Sequence, residues 1–279
     1  MNNFVMRALS GIIYISLIIS AIFAGSAWFG ALMTLFAVVA SLEFIQLTGG
    51  FKPESGAIGS YIAAVTTAAS AATAWSLGAA PVAVPFIAVM FFLARSVLAL
   101  YDRREGAFMA VGSSILCYFY IGVSLGLMNM LYNSALLASG SAKPTILMLF
   151  AMIWLNDTGA YLVGSRIGRR RLFERLSPKK SWEGFFGGLT FCILAGVAAG
   201  HWLQTPVSPS AWIAIGVAVC VFSTWGDLFE SLLKRNLGVK DSGSIIPGHG
   251  GILDRIDSLL FVGPAISLFL FLSVYYNVM

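Results

Sequence analysis

The sequence predicts an all-α, polytopic integral membrane protein with about nine transmembrane helices and a polar cavity that faces the cytoplasm. The chain has 279 residues, of which 58% are apolar and only 10% are charged, and its mean hydropathy is +0.87. Soluble domains carry about a quarter charged residues. The charges that are present fall into a few short segments between long apolar runs. This distribution excludes an ordinary soluble domain.

Nine apolar stretches are long enough to cross the hydrocarbon core, which takes about 20 helical residues. The third is rich in Ala, Thr and Ser and is the weakest, and the sixth and eighth contain acidic residues, so a count that differs by one stays open. The predicted spans are 8–24, 27–47, 57–78, 81–101, 111–132, 144–164, 184–204, 210–232 and 252–276.

The positions of the 17 Lys and Arg residues predict the orientation, because cytoplasmic loops retain positive charge. With the N-terminus inside, the cluster from Arg166 to Lys180 and the group Lys234, Arg235 and Lys240 are cytoplasmic, and Lys143 is on the opposite side. The expected location is the inner (cytoplasmic) membrane. The formal net charge of +5 then reflects topology and anionic lipid, and it does not indicate nucleic-acid binding.

Two other features of the chain favour plain structural interpretations. The first apolar run lacks a clean A-x-A site, so a membrane span is favoured over a cleaved signal peptide. Cys117, Cys192 and Cys220 are isolated in apolar runs, which predicts buried free thiols and supports neither a disulfide framework nor a zinc site.

The character of the chain changes near residue 140. Residues 1–140 are predicted to be scaffold helices, and any contacts in a dimer are expected to lie there. Residues 141–279 hold most of the charge and are predicted to be the catalytic region. Glu43 is the notable acid of the first part. A polar contact between helices and a role in the site are both open for it.

A polar segment from 226 to 257, "GDLFESLLKRNLGVKDSGSIIPGHGGILDRID", begins inside an apolar span. A charged carboxylate inside a span costs at least about 2.5 kcal/mol, so it needs a partner, a cation or water. Asp227 and Lys234 share one helix face, and Asp254 and Asp257 share a face of the next helix. Such carboxylates beside the backbone amides of Gly250 and Gly251 suit Mg²⁺ that itself holds phosphates. The alternative is a helix cap neutralised by Arg255 and Lys234.

The run from Ser231 to Asp257, "SLLKRNLGVKDSGSIIPGHGGILDRID", resembles the signature of the phosphatidate cytidylyltransferases, also called CDP-diacylglycerol synthases. It shows no departure from that pattern over 27 positions. "NDTGAYLVG", "GRR" and "SPKKSWEG" are similar to a second segment of the family, which lies upstream. The resemblance implies transfer of the cytidylyl group of CTP to phosphatidic acid, with CDP-diacylglycerol and pyrophosphate as products.

The resemblance also implies a cofactor and an assembly. Mg²⁺ is expected at Asp227 and Asp254, a second cation is left open, and a homodimer is expected. His249 is interpreted as a phosphate contact, with a loop-fixing hydrogen bond as the alternative. The catalytic residues implied are Asp227, Asp254, Asp257, Lys234 and His249.

A basic segment, "GSRIGRRRLFERLSPKKSWEG", follows the sixth span. Ser177 and Pro178 are predicted to form a turn that presents Lys179 and Lys180 to phosphates. For Arg166 and Arg169 to Arg171, a purely topological role is equally open. Asp157 is an intramembrane acid, for which a function is the default expectation. The predicted substrate-binding residues are Asn156, Asp157, Ser177, Lys179, Lys180, Arg235, Lys240, Asp241, Gly250, Gly251 and Arg255.

Three other function classes compete with this interpretation. A transporter more often has inverted repeats and charges near mid-span, whereas these charges crowd one edge. A CDP-alcohol phosphotransferase has aspartates spaced i to i+4, and here Asp254 and Asp257 are spaced i to i+3. A CTP-dependent polyprenol kinase is the nearest alternative, and it would release CDP rather than pyrophosphate.

Overall fold

The computed structural model describes residues 3–48, 83–101, 107–133, 141–243, 245 and 250–275. These residues are almost entirely helical, and six helices among them are long and apolar enough to cross a membrane. The prediction of a helical, polytopic membrane protein is therefore confirmed. The chain divides into two compact units, and each is described by itself.

The first unit contains the described residues up to Met130 together with Leu237–Ile256. Its helices pack through aromatic contacts: the rings of Tyr14 and Phe36 stack at 5.9 Å, and those of Phe44 and Tyr120 lie 6.2 Å apart. The helices are α1 (Asn3–Ala24), α2 (Ser26–Leu47), α3 (Ala83–Leu100) and α4 (Ala107–Asn133), of which α4 includes a π-helical turn at Tyr118–Val123 and extends into the second unit.

The second unit contains Leu131–Asn236 and the chain from Asp257 onward. The first helix of this unit packs against the second, and the second packs against the third. A short antiparallel hairpin lies between the first two helices. Its elements are α5 (Ala142–Ile167), β1 (Arg171–Phe173), β2 (Ser177–Ser181), α6 (Trp182–Trp202), α7 (Pro209–Asn236) and the larger part of α8 (Leu253–Tyr275).

Eight of the nine predicted spans overlap one of these eight helices. The exception, 57–78, lies outside the described residues. The apolar part of α1, Leu9–Ala24, is shorter than a full span. The total of nine membrane helices stays a prediction.

The turn predicted at Ser177 and Pro178 is wrong, because these residues begin strand β2. The chain reverses instead at residues 174–176, where Leu176 N donates to Phe173 O at 3.2 Å. Pro178 has no backbone N–H to donate. A two-stranded hairpin tolerates this, because each strand is an edge strand and has no partner strand on its outer side. Among its described residues, the second unit therefore combines helices with one small hairpin.

Glycines bring α5 and α6 into close contact. A Cβ atom at Gly187 would lie only 2.6 Å from Val163 Cβ and 2.8 Å from the carbonyl oxygen of Gly159. Small residues at such crossings let backbones approach, which is the main route to packing energy between apolar helices in lipid. Gly159 and Gly164 of α5 also contact α6 closely: a Cβ atom at Gly159 would lie 3.0 Å from the carbonyl oxygen of Gly187, and one at Gly164 would lie 3.3 Å from the Cα of Gly184.

The cysteine prediction is confirmed. Cys117, Cys192 and Cys220 are free thiols in the interior of the described helices.

We expect Gly187→Ala to destabilise the α5–α6 contact, because the added methyl group overlaps Val163 and backbone with little room to move. Overpacking of this kind costs about 1–3 kcal/mol. Thermal denaturation of the purified protein in detergent should show a lower midpoint. Gly112→Ala is the matched control, because nothing lies within 4 Å of a Cβ atom at that position. Equal midpoints for the two variants would contradict the packing argument.

Candidate functional site

A cavity of about 640 Å³ lies within the second unit, between α5, the hairpin, the start of α6 and α7. Its polar and charged lining comes from α5, the hairpin and α7, while α6 contributes Gly184 and Phe185. The polar and charged lining residues are Asn156, Asp157, Tyr161, Ser165, Arg171, Ser177, Lys179, Lys180, Ser181, Thr224 and Asp227.

The helices contribute acidic and amide groups to this cavity from positions well inside the spans. Asp157 on α5 and Asp227 on α7 each lie about ten residues before the C-terminal end of their helix, which is about 15 Å at 1.5 Å per residue. Asn156 is only 3% exposed, and its Nδ2 donates to Ser223 Oγ at 3.4 Å. The cavity therefore brings carboxylates together at depth in an otherwise apolar helix pair.

The hairpin contributes the cations. Arg171 on β1 and Lys179 and Lys180 on β2 all line the cavity, and Arg171 is paired with Ser181, the residue after Lys180. Strand β1 packs on α7 through Phe173, whose ring meets that of Trp225 edge-on at 6.0 Å. The cations are thus presented by a fixed element.

The ends of the hairpin are tied to α6. Ser181 Oγ accepts a hydrogen bond from Gly184 N at 3.1 Å and caps the helix, which is the usual role of a serine at this position. The Glu183 carboxylate accepts from the backbone N–H groups of Arg169 at 3.1 Å and Arg170 at 3.2 Å. These bonds fix where the chain leaves α5 and where it enters α6.

One ion pair connects the two halves of the lining. Lys180 Nζ lies 2.5 Å from Asp227 Oδ2, and both side chains are about one third exposed. Asp257 on α8 interacts electrostatically with Asp227, Asp157 and Lys180. Close approach of α7 and α8 makes this possible, since a Cβ at Gly226 would lie 2.6 Å from the Asp257 carbonyl oxygen. Asp257 therefore lies close enough to the charged lining of the cavity to be influenced by it, although it does not itself line the cavity.

This donor set suits a hard divalent cation. Asp157 and Asp227 line the cavity with carboxylate oxygens, and the buried Asn156 Oδ1 has no hydrogen-bond partner among the described residues. Mg²⁺ is usually held by one or two carboxylates together with substrate phosphates and water. In the described part of the chain no group of three or more acidic, His or Cys side chains has the spacing of a ready-made metal site. A Mg²⁺ ion here would need phosphate oxygens to complete its coordination.

Asp254 lies in the first unit, in the first turn of α8. Its Oδ2 accepts hydrogen bonds from the backbone N–H groups of Ser242 at 2.9 Å and Gly251 at 2.8 Å. These bonds close the segment between α7 and α8, of which residues 237–243, 245 and 250–252 are described and which we term the signature loop. The pairing of Asp254 with Asp227 at one metal ion stays a prediction.

The structure places the other predicted residues as follows. Lys234 forms a 3.0 Å ion pair with Glu230 one turn earlier on α7. The carbonyl oxygen of Arg255 accepts a hydrogen bond from Tyr14 Oη at 3.1 Å. The side chain of Arg255 is exposed. His249 lies outside the described residues. The side chains of Arg235, Lys240 and Asp241 are exposed, and Gly250 has a positive φ of 80°.

Three residues of interest were not singled out by sequence reasoning, or were left open by it. Thr224 lines the cavity, and its spacing of i to i+3 before Asp227 is a signal that places it on the same face. Arg171 is the arginine of its cluster that lines the cavity among the described residues, which only strand pairing could reveal. Glu43, for which two roles were open, binds the signature loop.

A sequence model of the cytidylyltransferase family matches residues 5–273, which is nearly the whole chain. The chain belongs to the cytidylyltransferase family. Within the family match lie the cavity, the hairpin and the signature loop.

Proteins named phosphatidate cytidylyltransferase from three staphylococci are similar to this member of the family. The protein from Staphylococcus aureus is 45% identical over 130 residues, 46% of this chain and 49% of the relative. That from Staphylococcus epidermidis is 43% identical over 125 residues, 45% and 48%. That from Staphylococcus haemolyticus is 35% identical over 169 residues, 61% and 62%. In these alignments the chain spans about half to three-fifths of the length of the curated relatives it matches.

We expect the Lys180–Asp227 ion pair to contribute little to stability. Both side chains are about one third exposed, and such pairs contribute about 0–1 kcal/mol. A double-mutant cycle of Lys180→Met and Asp227→Asn, measured by thermal denaturation in detergent, should give a coupling free energy below about 1 kcal/mol. A much larger coupling free energy would show that the ion pair holds the hairpin in place. It would contradict the expectation that the charge of Lys180 is available to the cavity at little cost in stability.

Proposed function

We propose that this protein transfers the cytidylyl group of CTP to phosphatidic acid, giving CDP-diacylglycerol and pyrophosphate. The observation that carries the proposal is the cavity of the second unit, in which the cations of a hairpin face carboxylates of membrane helices in a chain of the cytidylyltransferase family. The names of the three staphylococcal relatives support the same activity.

Charge repulsion is the first obstacle that such a site has to overcome, since a triphosphate and a phosphate monoester are both anionic. Arg171, Lys179 and Lys180 supply three positive charges from one hairpin. Groups that are oriented before the substrates bind need little reorganisation during the reaction, which is the usual origin of electrostatic catalysis. We assign these side chains to the phosphates of the two substrates.

Mg²⁺ is the proposed cofactor. Asp227 is its proposed ligand in the second unit, with Asp157 and Asp257 nearby in the same carboxylate cluster, and Asp254 is the proposed ligand in the first unit. When bound, the ion neutralises triphosphate charge and stabilises the leaving pyrophosphate. A second cation is left open by this arrangement.

The reaction itself needs little acid–base chemistry from the protein. A phosphate monoester is largely deprotonated near pH 7. One of its oxygens attacks the α-phosphorus of CTP, a new P–O bond forms, and the bond from the α-phosphorus to the bridging oxygen breaks and releases pyrophosphate. The residues of the cavity then act by holding the phosphates in line and compensating charge, as in phosphoryl transfer generally.

Access and location follow from the same arrangement. We propose that the cavity faces the cytoplasm from the inner membrane, because the segment between α5 and α6, which includes the hairpin, carries most of the basic residues of the second unit. Tyr161 lines the cavity and is 73% exposed, which offers the lipid substrate an aromatic edge toward the acyl chains. Nine membrane helices and a homodimer complete the proposal.

Purified protein with CTP, phosphatidic acid and Mg²⁺ tests the function directly. Equal amounts of pyrophosphate and CDP-lipid are the expected products. Release of CDP with a phosphorylated lipid alcohol, when a polyprenol is offered instead, would identify a CTP-dependent kinase. If the protein forms neither of these sets of products, the assignment is overturned.

One prediction of the proposed function concerns the hairpin cations. Lys180→Ala and Arg171→Ala should each raise the KM for CTP or lipid, or lower kcat, by at least about tenfold, since a charge-assisted contact contributes roughly 1.5–3 kcal/mol. Arg170→Ala is the matched control: its side chain does not line the cavity, and its bond to Glu183 uses only the backbone. Kinetics at one ionic strength compare the three. Equally small losses would reduce the basic residues to a topological signal.

The second prediction concerns the metal. Asp227→Asn should abolish turnover with little change in the thermal midpoint, because an amide keeps the volume of the side chain but not its charge. Asp254→Asn should also abolish turnover. Titration with Mg²⁺ should show weaker binding of the ion by Asp227→Asn in the presence of CTP, measured independently of turnover. Activity of either variant within tenfold of wild type at saturating Mg²⁺ would refute the ligand assignment.

A further inference from the structure

Glu43 lies on α2, about 200 positions before the signature loop, yet it forms three of the hydrogen bonds that hold this loop. Its side chain is 2% exposed. One carboxylate oxygen, Oε1, accepts from Ile252 N at 3.0 Å, and the other, Oε2, accepts from Leu253 N at 2.8 Å and from Ser242 Oγ at 3.3 Å. All of these groups belong to the first unit.

The two backbone N–H groups that Glu43 binds are at the start of α8. The first amides of a helix have no partner within the helix, and a negative charge there is favourable because it faces the positive end of the helix dipole. Asp254 binds two further N–H groups of the same loop, those of Ser242 and Gly251. One acid is local to the loop, and Glu43 connects the loop to a distant helix.

Glycines in the loop are required by the position of this carboxylate. A Cβ atom at Gly243 would lie 2.8 Å from Glu43 Oε1, and one at Gly251 would overlap Glu43 Oε2 and Ser242 Oγ. The loop therefore closes around the side chain of Glu43 without space for even a methyl group. This explains two glycines of the segment without reference to a ligand.

We propose that Glu43 is a positioning residue of the reaction: it holds the signature loop, with Asp241, Gly250 and Asp254, in the arrangement that binds substrate. This inference rests on the proposed function. Glu43 itself touches no substrate, and it acts through Ile252, Leu253 and Ser242. The alternative is a plain polar contact between helices, in which the loop keeps its arrangement without the carboxylate.

Glu43→Gln is the sharpest variant, because it keeps the size of the side chain and exchanges one acceptor oxygen for an N–H donor. That donor would face the N–H of Ile252 or Leu253, so one of the two backbone bonds is lost. Gly243→Ala disturbs the same contact from the loop. The matched controls are Ser41→Ala, a buried polar residue of α2, and Gly112→Ala, which has open space around its Cβ.

Hydrogen exchange of the purified protein in detergent, without substrate, is the first measurement. The amides of Ile252 and Leu253 should exchange at least about tenfold faster in Glu43→Gln and Gly243→Ala, the factor that corresponds to loss of one charge-assisted hydrogen bond. Amides of α5 and α6 should be unchanged, and both controls should resemble wild type. Unchanged exchange at Ile252 and Leu253 in a folded Glu43→Gln protein would overturn the proposal.

Kinetics separate positioning from mere support. If the arrangement of the loop that binds substrate becomes a minor state, the apparent affinity for substrate falls in proportion to the population of that state. Saturating substrate then restores the competent arrangement. Glu43→Gln should therefore raise the KM for CTP at least about tenfold and change kcat much less. Faster exchange with unaltered kinetics would refute a positioning role. A wild-type protein that makes no CDP-lipid would overturn the proposed function, while exchange would still decide whether Glu43 holds the loop.

Discussion

Carboxylates carried by apolar helices are the constraint around which this structure is organised. Each one has to be compensated, because an isolated charge in a membrane span is costly. In the second unit Asp227 is compensated by Lys180, which arrives on the hairpin. In the first unit Glu43 is compensated by backbone N–H groups of the signature loop. For Asp227 and Glu43 the partners lie on, or directly beside, a segment that connects two helices, so these two acids restrict where those segments can lie.

The cavity depends on small residues as much as on charged ones. Gly164 and Gly184 both line it, and the Cα of Gly184 would be 3.3 Å from a Cβ at Gly164. Close backbone contact at these positions gives the α5–α6 pair its packing energy, and the missing side chains leave the polar groups around them accessible. The same glycines therefore serve stability and the site. A larger residue at either position would weaken the helix pair and fill the cavity together.

The hairpin is the one sheet among the described residues of the second unit, and its geometry has a chemical consequence. Strand pairing places Arg171 of β1 opposite Ser181 of β2, beside the segment that carries Lys179 and Lys180. The cap at Ser181 and the bonds to Glu183 fix both ends of this element. Three cations are thereby held at the cavity without a long ordered loop.

The sequence by itself determined the class of this protein, most of its membrane helices and the residues of greatest chemical interest. Apolar length decides whether a segment can span, and that is a local property, so eight of the predicted spans meet a helix. Asp157, Lys179, Lys180 and Asp227 could be selected because a charge in or beside an apolar run is conspicuous. Only the tertiary structure decided that Arg171 rather than Arg170 lines the cavity, that Ser177 begins a strand, and that Glu43 binds a loop some 200 residues away. Those outcomes depend on strand pairing and on contacts between distant segments, which no local pattern of hydropathy or charge encodes.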